Sequence, residues 1–486
     1  MRRTPRLRTL CGLAALALLA RVPATAQERF RRTAPPPDPT PELRLPNVET
    51  YTLTNGLTVS TVFREGQPFI NIQLIVGAGE ADSPRLSPAT ASFTANMIVR
   101  GTLELSAGDI LEKVEAMGGR LSVNTRVDST VFTFQFLEEY LDQALDLLSQ
   151  IILHPAFSDA ELGVVRYNLY YDILDKEKDP GFVGKRQLLR ELFRSHAYRT
   201  GFFNKEALKN VKTSDVSRFY QSHYYPNWSH VILTGNLSLR SATRKVSHFF
   251  NTWARGPAPR PALPLPPPNP EPKVIFVDVP QAPEAMVHMG NVVPPMSSPD
   301  YFPLLVFQQV LGGSVNSRLM LNLRETKGYA YYAFSQVETY PGFDLFTVRA
   351  RLAPESVYAS IEEVLNELRR DGTQPLPTAE VEQAKTFLLG NFPLNLERLE
   401  SLSARIAELK LYDLPDDFWS RYPENVLLVN DGRVFDLVRS LPLLSPVIVI
   451  SGDKRVLADQ LKYFDKVDIF DAQGVFQYSL VKETDK

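Results

Sequence analysis

Six histidines supply the imidazoles available for metal or acid–base chemistry: His154, His196, His223, His230, His248 and His288. A helical zinc motif needs two of them four residues apart, so that both rings leave one helix face a turn apart. No pair in the chain has that spacing, and each of the six reads as a surface or capping residue. The single cysteine, Cys11, sits in an N-terminal apolar run, which leaves no thiolate cluster. Gly312-Gly313-Ser314 lacks the Gly-Lys-Ser/Thr ending of a phosphate loop. It reads as a tight turn between helices, with glycine supplying backbone freedom. Gly118-Gly119 reads as a turn into a strand over 120–128.

The elements that carry these residues come in two similar sets. Each opens with strand-like residues, 69–76 (FINIQLIV) and 285–290 (AMVHMG). A Ser-Pro pair follows in each, Ser83-Pro84 and Ser298-Pro299, and then an apolar helix over 89–99 or 302–311. Next come a strand (130–136; 343–350) and an amphipathic helix (140–152; 356–369). A further helix start follows, with Ser158 and Asp159 as N-cap candidates in the first set and Thr378 in the second. Matching points lie about 213–219 residues apart. Pro-rich runs at 33–46 and 256–272 punctuate the chain. The expected organisation is a linker over 27–47, an N-terminal domain over 48–255, a linker over 256–272 and a C-terminal domain over 273–480. Each unit mixes strands and helices with hairpin-like neighbours, so the expected fold class is α+β.

A chain of 486 residues with 44% hydrophobic and 22% charged residues has ample apolar material for more than one core. Residues 1–26 read as a secretory signal: Arg2, Arg3, Arg6 and Arg8, an apolar run over 11–20, and Ala24-Thr25-Ala26 as the cleavage site. Cleavage removes five arginines and no acid, leaving 48 basic and 55 acidic residues, a net charge of −7. It also removes the only cysteine, which suits an oxidising compartment such as the periplasm. Basic clusters are mixed with acids, so neither a nucleic-acid footprint nor a polybasic membrane patch is expected. No later apolar run is long enough for a transmembrane segment once the signal is cleaved.

Several motifs together carry a family resemblance. Asn96-Met-Ile-Val-Arg-Gly-Thr, followed by Ala116-Met-Gly-Gly-Arg-Leu-Ser-Val-Asn-Thr-Arg-Val-Asp, resembles the pitrilysin/insulinase zinc metallopeptidases. That family includes the mitochondrial processing peptidase and the core proteins of respiratory complex III. His196-Ala-Tyr, Phe219-Tyr, Tyr225-Pro-Asn and Gly235-Asn-Leu extend the match. So do Leu311-Gly-Gly-Ser-Val-Asn-Ser-Arg-Leu and Leu323-Arg-Glu-Thr-Lys-Gly-Tyr-Ala-Tyr, and the resemblance covers about residues 48–480. It implies two homologous α/β sandwich-like domains of the LuxS/mitochondrial processing peptidase type, forming half of a clamshell.

The resemblance also says where the peptidase residues would fall. The two His of the family's His-x-x-Glu-His motif fall on Ser92 and Asn96, and its catalytic Glu falls on Ala95. The third zinc ligand, a Glu on the next long helix, falls on Asn168. All three ligands and the base are therefore replaced, and serine and asparagine are poor zinc ligands beside imidazole or thiolate. In related two-subunit peptidases, one chain carries zinc and the other lends an Arg and a Tyr to the partner's site. Those residues fall on Arg324 and Tyr331. A guanidinium offers a donor fork to carbonyl oxygens, and a phenol donates to a developing oxyanion. The resemblance implies a secreted, zinc-less subunit that assists a homologous zinc-bearing partner acting on peptides. This chain itself would hold no cofactor. The residues alone leave other readings open: Arg324-Glu325 as an ordinary ion pair, Tyr331 as strand packing, and a purely structural or peptide-binding subunit. A self-sufficient zinc enzyme would instead require stoichiometric metal in the purified chain.

Overall fold

Alternating apolar residues fold into two sheets in the computed structural model, which describes residues 48–85, 87–257, 265–266 and 273–482. The expected signal, the 27–47 linker and most of the 256–272 run lie outside the described residues. The first sheet comprises β1 (Val48–Thr52), β2 (Thr58–Phe63), β3 (Phe69–Val76), β4 (Arg120–Thr125), β5 (Thr130–Leu137) and β6 (Ser229–Gly235). Their order is β1-β2-β6-β3-β5-β4. The second comprises β7 (Lys273–Asp278), β8 (Ala285–Val293), β9 (Ala330–Tyr340), β10 (Phe343–Leu352), β11 (Val447–Gly452), β12 (Lys466–Asp471) and β13 (Phe476–Val481). Their order is β13-β12-β7-β11-β8-β10-β9. Five strands correspond one to one, β2-β6-β3-β5-β4 with β7-β11-β8-β10-β9. In each set the first pair is parallel and the others antiparallel. The repeat read from the sequence is thus a repeat of sheet topology, in a mixed α/β fold.

The helices follow the expected pattern to within a residue or two. The apolar pair forms Thr90–Ile98 and Tyr301–Gly312, and the amphipathic pair forms Leu141–Leu153 and Val357–Asp371. Ser158 caps the helix Asp159–Lys176, its hydroxyl accepting from the Glu161 amide at 3.2 Å. Thr378 does not cap. It is the first residue of the helix Thr378–Leu394, Pro377 takes the cap position, and the threonine hydroxyl reaches Asp431 at 3.4 Å. The strand expected over 120–128 ends at Thr125, because the chain then turns to pair with the segment before the Thr90–Ile98 helix. There the Glu80 amide donates to the Arg126 carbonyl and the Ala81 amide to the Val127 carbonyl. Gly312 needs to be glycine for a different reason from the one expected. Its backbone is not left-handed; a Cβ there would sit 2.2 Å from the Ser335 amide nitrogen of β9.

The two halves are joined by an exchange of helices. Leu399–Leu411, from the C-terminal half, lies on β3 and β6 of the first sheet. Pro180–Phe193, from the N-terminal half, lies on β8 and β11 of the second. Because both its faces are covered, β3 is buried along almost its whole length and does not alternate. Ile70, Ile72 and Leu74 join the core of the first sheet, while Ile75 packs in the cluster that holds Leu402 and Ile406 of the visiting helix. One hydroxyl locks this joint. Ser403 Oγ donates to the Leu399 carbonyl at 2.8 Å, accepts from Asn71 Nδ2 at 2.9 Å, and lies 2.7 Å from Thr234 Oγ1. That uses the one donor and both acceptor sites of a serine. The second joint repeats the device, with Ser451 of β11 donating to the Pro180 carbonyl at 2.6 Å. Here glycine sets the approach: a Cβ on Gly184 would meet Ser451 Oγ at 2.6 Å and His288 Nδ1 at 2.8 Å.

Burial also leaves a titratable group in this framework. Asp344, near the start of β10, is fully buried. Burial pushes its carboxyl up to about 8, against the backbone amides of Met296 and Tyr340, which favour the charged form.

Two stability predictions follow from this packing. Ser403→Ala leaves Asn71 and Thr234 without their buried partner and lowers unfolding free energy by about 1–3 kcal/mol in a denaturant titration. A cost indistinguishable from zero would show that the joint does not rest on this hydroxyl. For Asp344 the native state holds its proton more tightly than the unfolded chain. Stability therefore declines as pH rises from about 4 to about 8. Asp344→Asn should remove that part of the pH dependence, seen as a melting temperature above wild type at pH 8 and close to it at pH 4.

Candidate functional site

Ser92, Ala95 and Asn96 lie on the Thr90–Ile98 helix, and none of them offers an imidazole, a thiolate or a carboxylate. Glu80, fully buried, reaches the helix from the preceding turn. Its Oε1 accepts from the Ser92 hydroxyl and from the Ser92 amide (2.8 Å), and its Oε2 accepts from the Ser83 hydroxyl (2.8 Å). Burial raises the Glu80 pKa, and the Ser92 and Ser83 hydroxyls act the other way. Asn96 turns its amide back along the helix, Nδ2 donating to the Ser92 carbonyl at 2.8 Å. Ala95 places a fully buried methyl where proton transfer would need a carboxylate. A carboxylate beside position 92 is the kind of group that orients a ligating imidazole. Here the serine hydroxyl takes its hydrogen bond. Sequence reading passed over Glu80, although a lone acid within the otherwise small and apolar run 74–81 (LIVGAGEA) was a signal for it.

The third expected position needs correction. The Asp159–Lys176 helix turns Asn168 to solvent. Leu169, Asp172, Ile173 and Lys176 line the cavity next to Ser92 and Asn96. The spacing of those four is that of one helix face, and Asn168 falls beside it. Ile173 is buried against the Phe93 and Met97 side of the Thr90–Ile98 helix, and Asp172 pairs with Lys176 at 2.7 Å. The donors present therefore do not fit a zinc ion, and among the described residues no group of three His, Cys, Asp or Glu could hold a metal. Two histidines depart from the expected surface or capping role. His230 and His288 are buried in β6 and β8, where burial lowers their pKa to about 4 and about 3 and keeps the rings neutral. His196 does cap, its Nδ1 accepting from the Tyr198 amide at 3.2 Å.

A cavity of about 1050 Å³ opens beside this helix, with walls from both halves. Residues 123–125 of β4 form one side. β4 is an edge strand of the first sheet, as β9 is of the second. The exchanged helix contributes Lys185 and Leu189, and the second sheet contributes His288, Tyr332, Glu338, Arg349 and Arg351. Most charges in the wall are paired: Lys185 with Glu338 at 2.9 Å, and Arg351 with Glu284. Arg349 forms no ion pair among the described residues and lies over the Tyr332 ring, 5.8 Å from its centroid.

Arg324 and Tyr331 are brought together on this side of the second sheet. Arg324 lies in a π-helical stretch, Met320–Thr326, a winding concentrated at functional positions. Its guanidinium lies 5.8 Å from the centroid of the Tyr331 ring, and that of Arg351 lies 5.5 Å from it. Tyr331 is 67% exposed, and the contact between Arg324 and Glu325 is a loose 3.6 Å. Neither Arg324 nor Tyr331 lines the cavity; Arg351, which does, connects them to its rim. The structure joins neither of them by hydrogen bond or ion pair to Ser92, Ala95 or Asn96 among the described residues.

Comparison with known proteins points to one family. Residues 58–206 match the model for the insulinase family, peptidase family M16, and residues 210–388 match that for the peptidase M16 inactive domain. An uncharacterized zinc protease of Mycobacterium tuberculosis is 27% identical over 368 residues, covering 74% of this chain and 83% of that protein. A protein of Helicobacter pylori named as the non-peptidase homolog YmxG is 26% identical over 367 residues, covering 74% and 82%. Among solved structures, a peptidase M16 inactive domain from Pseudomonas fluorescens superposes with a TM-score of 0.78 at 19% identity, covering 84% of this chain and 98% of that one.

The donor set leads to a metal prediction. Purified chain should carry far less than one zinc per molecule by mass spectrometry, and EDTA should leave its melting temperature unchanged. Stoichiometric zinc that disappears in a Ser92→Ala, Asn96→Ala variant would overturn this reading of the site.

Proposed function

The chain belongs to the M16 insulinase family as a member without the zinc-peptidase residues, and on that premise we propose that it is the non-catalytic subunit of a heteromeric zinc peptidase. One contrast carries the reading. Ser92 and the amide nitrogen of Asn96 are engaged within their own half, whereas Arg324 and Tyr331 stand exposed together beside Arg351, which lines the cavity. A homologous partner chain bearing the zinc would supply the activated water. Arg324 would then hold peptide carbonyl oxygens through its donor fork, and the Tyr331 hydroxyl would donate to the oxyanion forming at the scissile carbonyl. Arg351, already stacked on Tyr331, would keep the ring placed.

The open edge of β4 favours an extended peptide as the bound species, added as a further strand. This edge also supports the second reading, a structural or peptide-binding subunit with no part in cleavage. We take residues 48–255 and 273–480 as the two domain segments and residues 1–26 as an export signal to the periplasm. No helix among the described residues is long and apolar enough to cross a membrane.

A mixture of this chain with its zinc-bearing partner should cleave unfolded peptides. Arg324→Ala should lower turnover roughly 10- to 1000-fold while the complex still elutes as one species in gel filtration. Unchanged turnover in that variant would sink the assisting role and leave the peptide-binding reading.

A further inference from the structure

A second cavity, of about 370 Å³, shares Phe202 and Phe203 with the first and differs from it in charge. Arg85, Arg190, Arg194 and Arg199 line it, and no carboxylate does. None of the four forms an ion pair among the described residues. The nearest acids are engaged elsewhere. Glu191 pairs with Lys273 at 3.3 Å and accepts from Gln187 at 3.2 Å. Asp471 accepts from the amides of Gln473 (3.0 Å) and Val475 (2.9 Å) and from the Gln477 side chain (3.0 Å). Arg190 and Arg199 find only backbone carbonyls, those of Gln473 at 3.4 Å and Arg194 at 3.3 Å. Burial, then the like charges of Arg199 and Arg186, lower the Arg190 pKa, and Glu191 and Asp471 offset this only in part. Arg194, which ends the exchanged helix, has φ 24° and ψ −92°, an unfavourable backbone for a residue with a side chain. Guanidinium groups without ion pairs around a small concavity, one of them on strained backbone, are a complement to a dense negative charge.

We infer that this cavity binds a small multivalent oxyanion of the phosphate or pyrophosphate class, held by the donor forks of Arg190, Arg194 and Arg199 with Arg85 closing the mouth. The group could arrive as a free anion or as the phosphate of a lipid headgroup, and the test separates the two.

The full mature chain is titrated calorimetrically at low ionic strength with orthophosphate, with pyrophosphate, and with vesicles containing phosphatidic acid. One-to-one binding of pyrophosphate, tighter than orthophosphate and weakened by added sodium chloride, is expected. Arg199→Gln, a change at an exposed side chain, should weaken it about tenfold. The double variant Arg190→Gln, Arg199→Gln should abolish it, with circular dichroism reporting whether the variant is folded. Arg439→Gln, an exposed change elsewhere, should bind like wild type. Binding to vesicles with no response to free anions would assign the site to headgroups. No response to any of the three at millimolar concentration, or equal binding in wild type and Arg199→Gln, would overturn the inference.

Discussion

Two helices have changed places between the halves of this chain, and the rest of the molecule is arranged around that exchange. A sheet with helices on one face leaves the other face bare, and a bare apolar face must be covered. Leu399–Leu411 covers the first sheet and Pro180–Phe193 the second. Each joint has a buried hydroxyl, Ser403 in one and Ser451 in the other. A buried hydroxyl with all its bonding capacity used gives direction as well as attraction, because a shifted helix would leave polar groups unpaired. The relative placement of the sheets, and with it the cavity between them, follows from these two contacts.

The cavity inherits two unlike walls. On the Thr90–Ile98 side Ser92 and the Asn96 amide nitrogen already have internal partners, Ser92 within the buried Glu80 cluster. On the second-sheet side Arg351 is paired with Glu284, while Arg349 on Tyr332 and Arg324 on Tyr331 are stacked without a close ion pair. Stacked guanidinium groups keep most of their donors, since the ring occupies a face and not the N–H edge. The asymmetry is one of availability. One wall satisfies itself and the other waits for acceptors.

Much of this was legible in the residues. Strand alternation, the Ser158 cap and the spacing of matching segments led to β3, β4, β5, β8 and β10 and to the paired helices that follow them, because these depend on local pattern. Features decided by what lies opposite were harder to read. Asn168 misses the cavity wall by one residue, a rotation of about 100° on a helix, and only the packing of Leu169 and Ile173 settles the phase. His230 and His288 read as surface or capping residues in the sequence, yet their strands are covered on both faces. Glu191 lies beside Arg190 in the linear chain. In the fold that glutamate turns to Lys273, a residue 82 positions away.

The exchange also bears on how such a chain comes to be made. A helix complete by residue 193 has its resting place on strands that end at residue 452, so much of the chain must be present before it can dock. Until then its apolar face and the matching face of the first sheet remain uncovered together. Contacts of such long sequence separation form slowly.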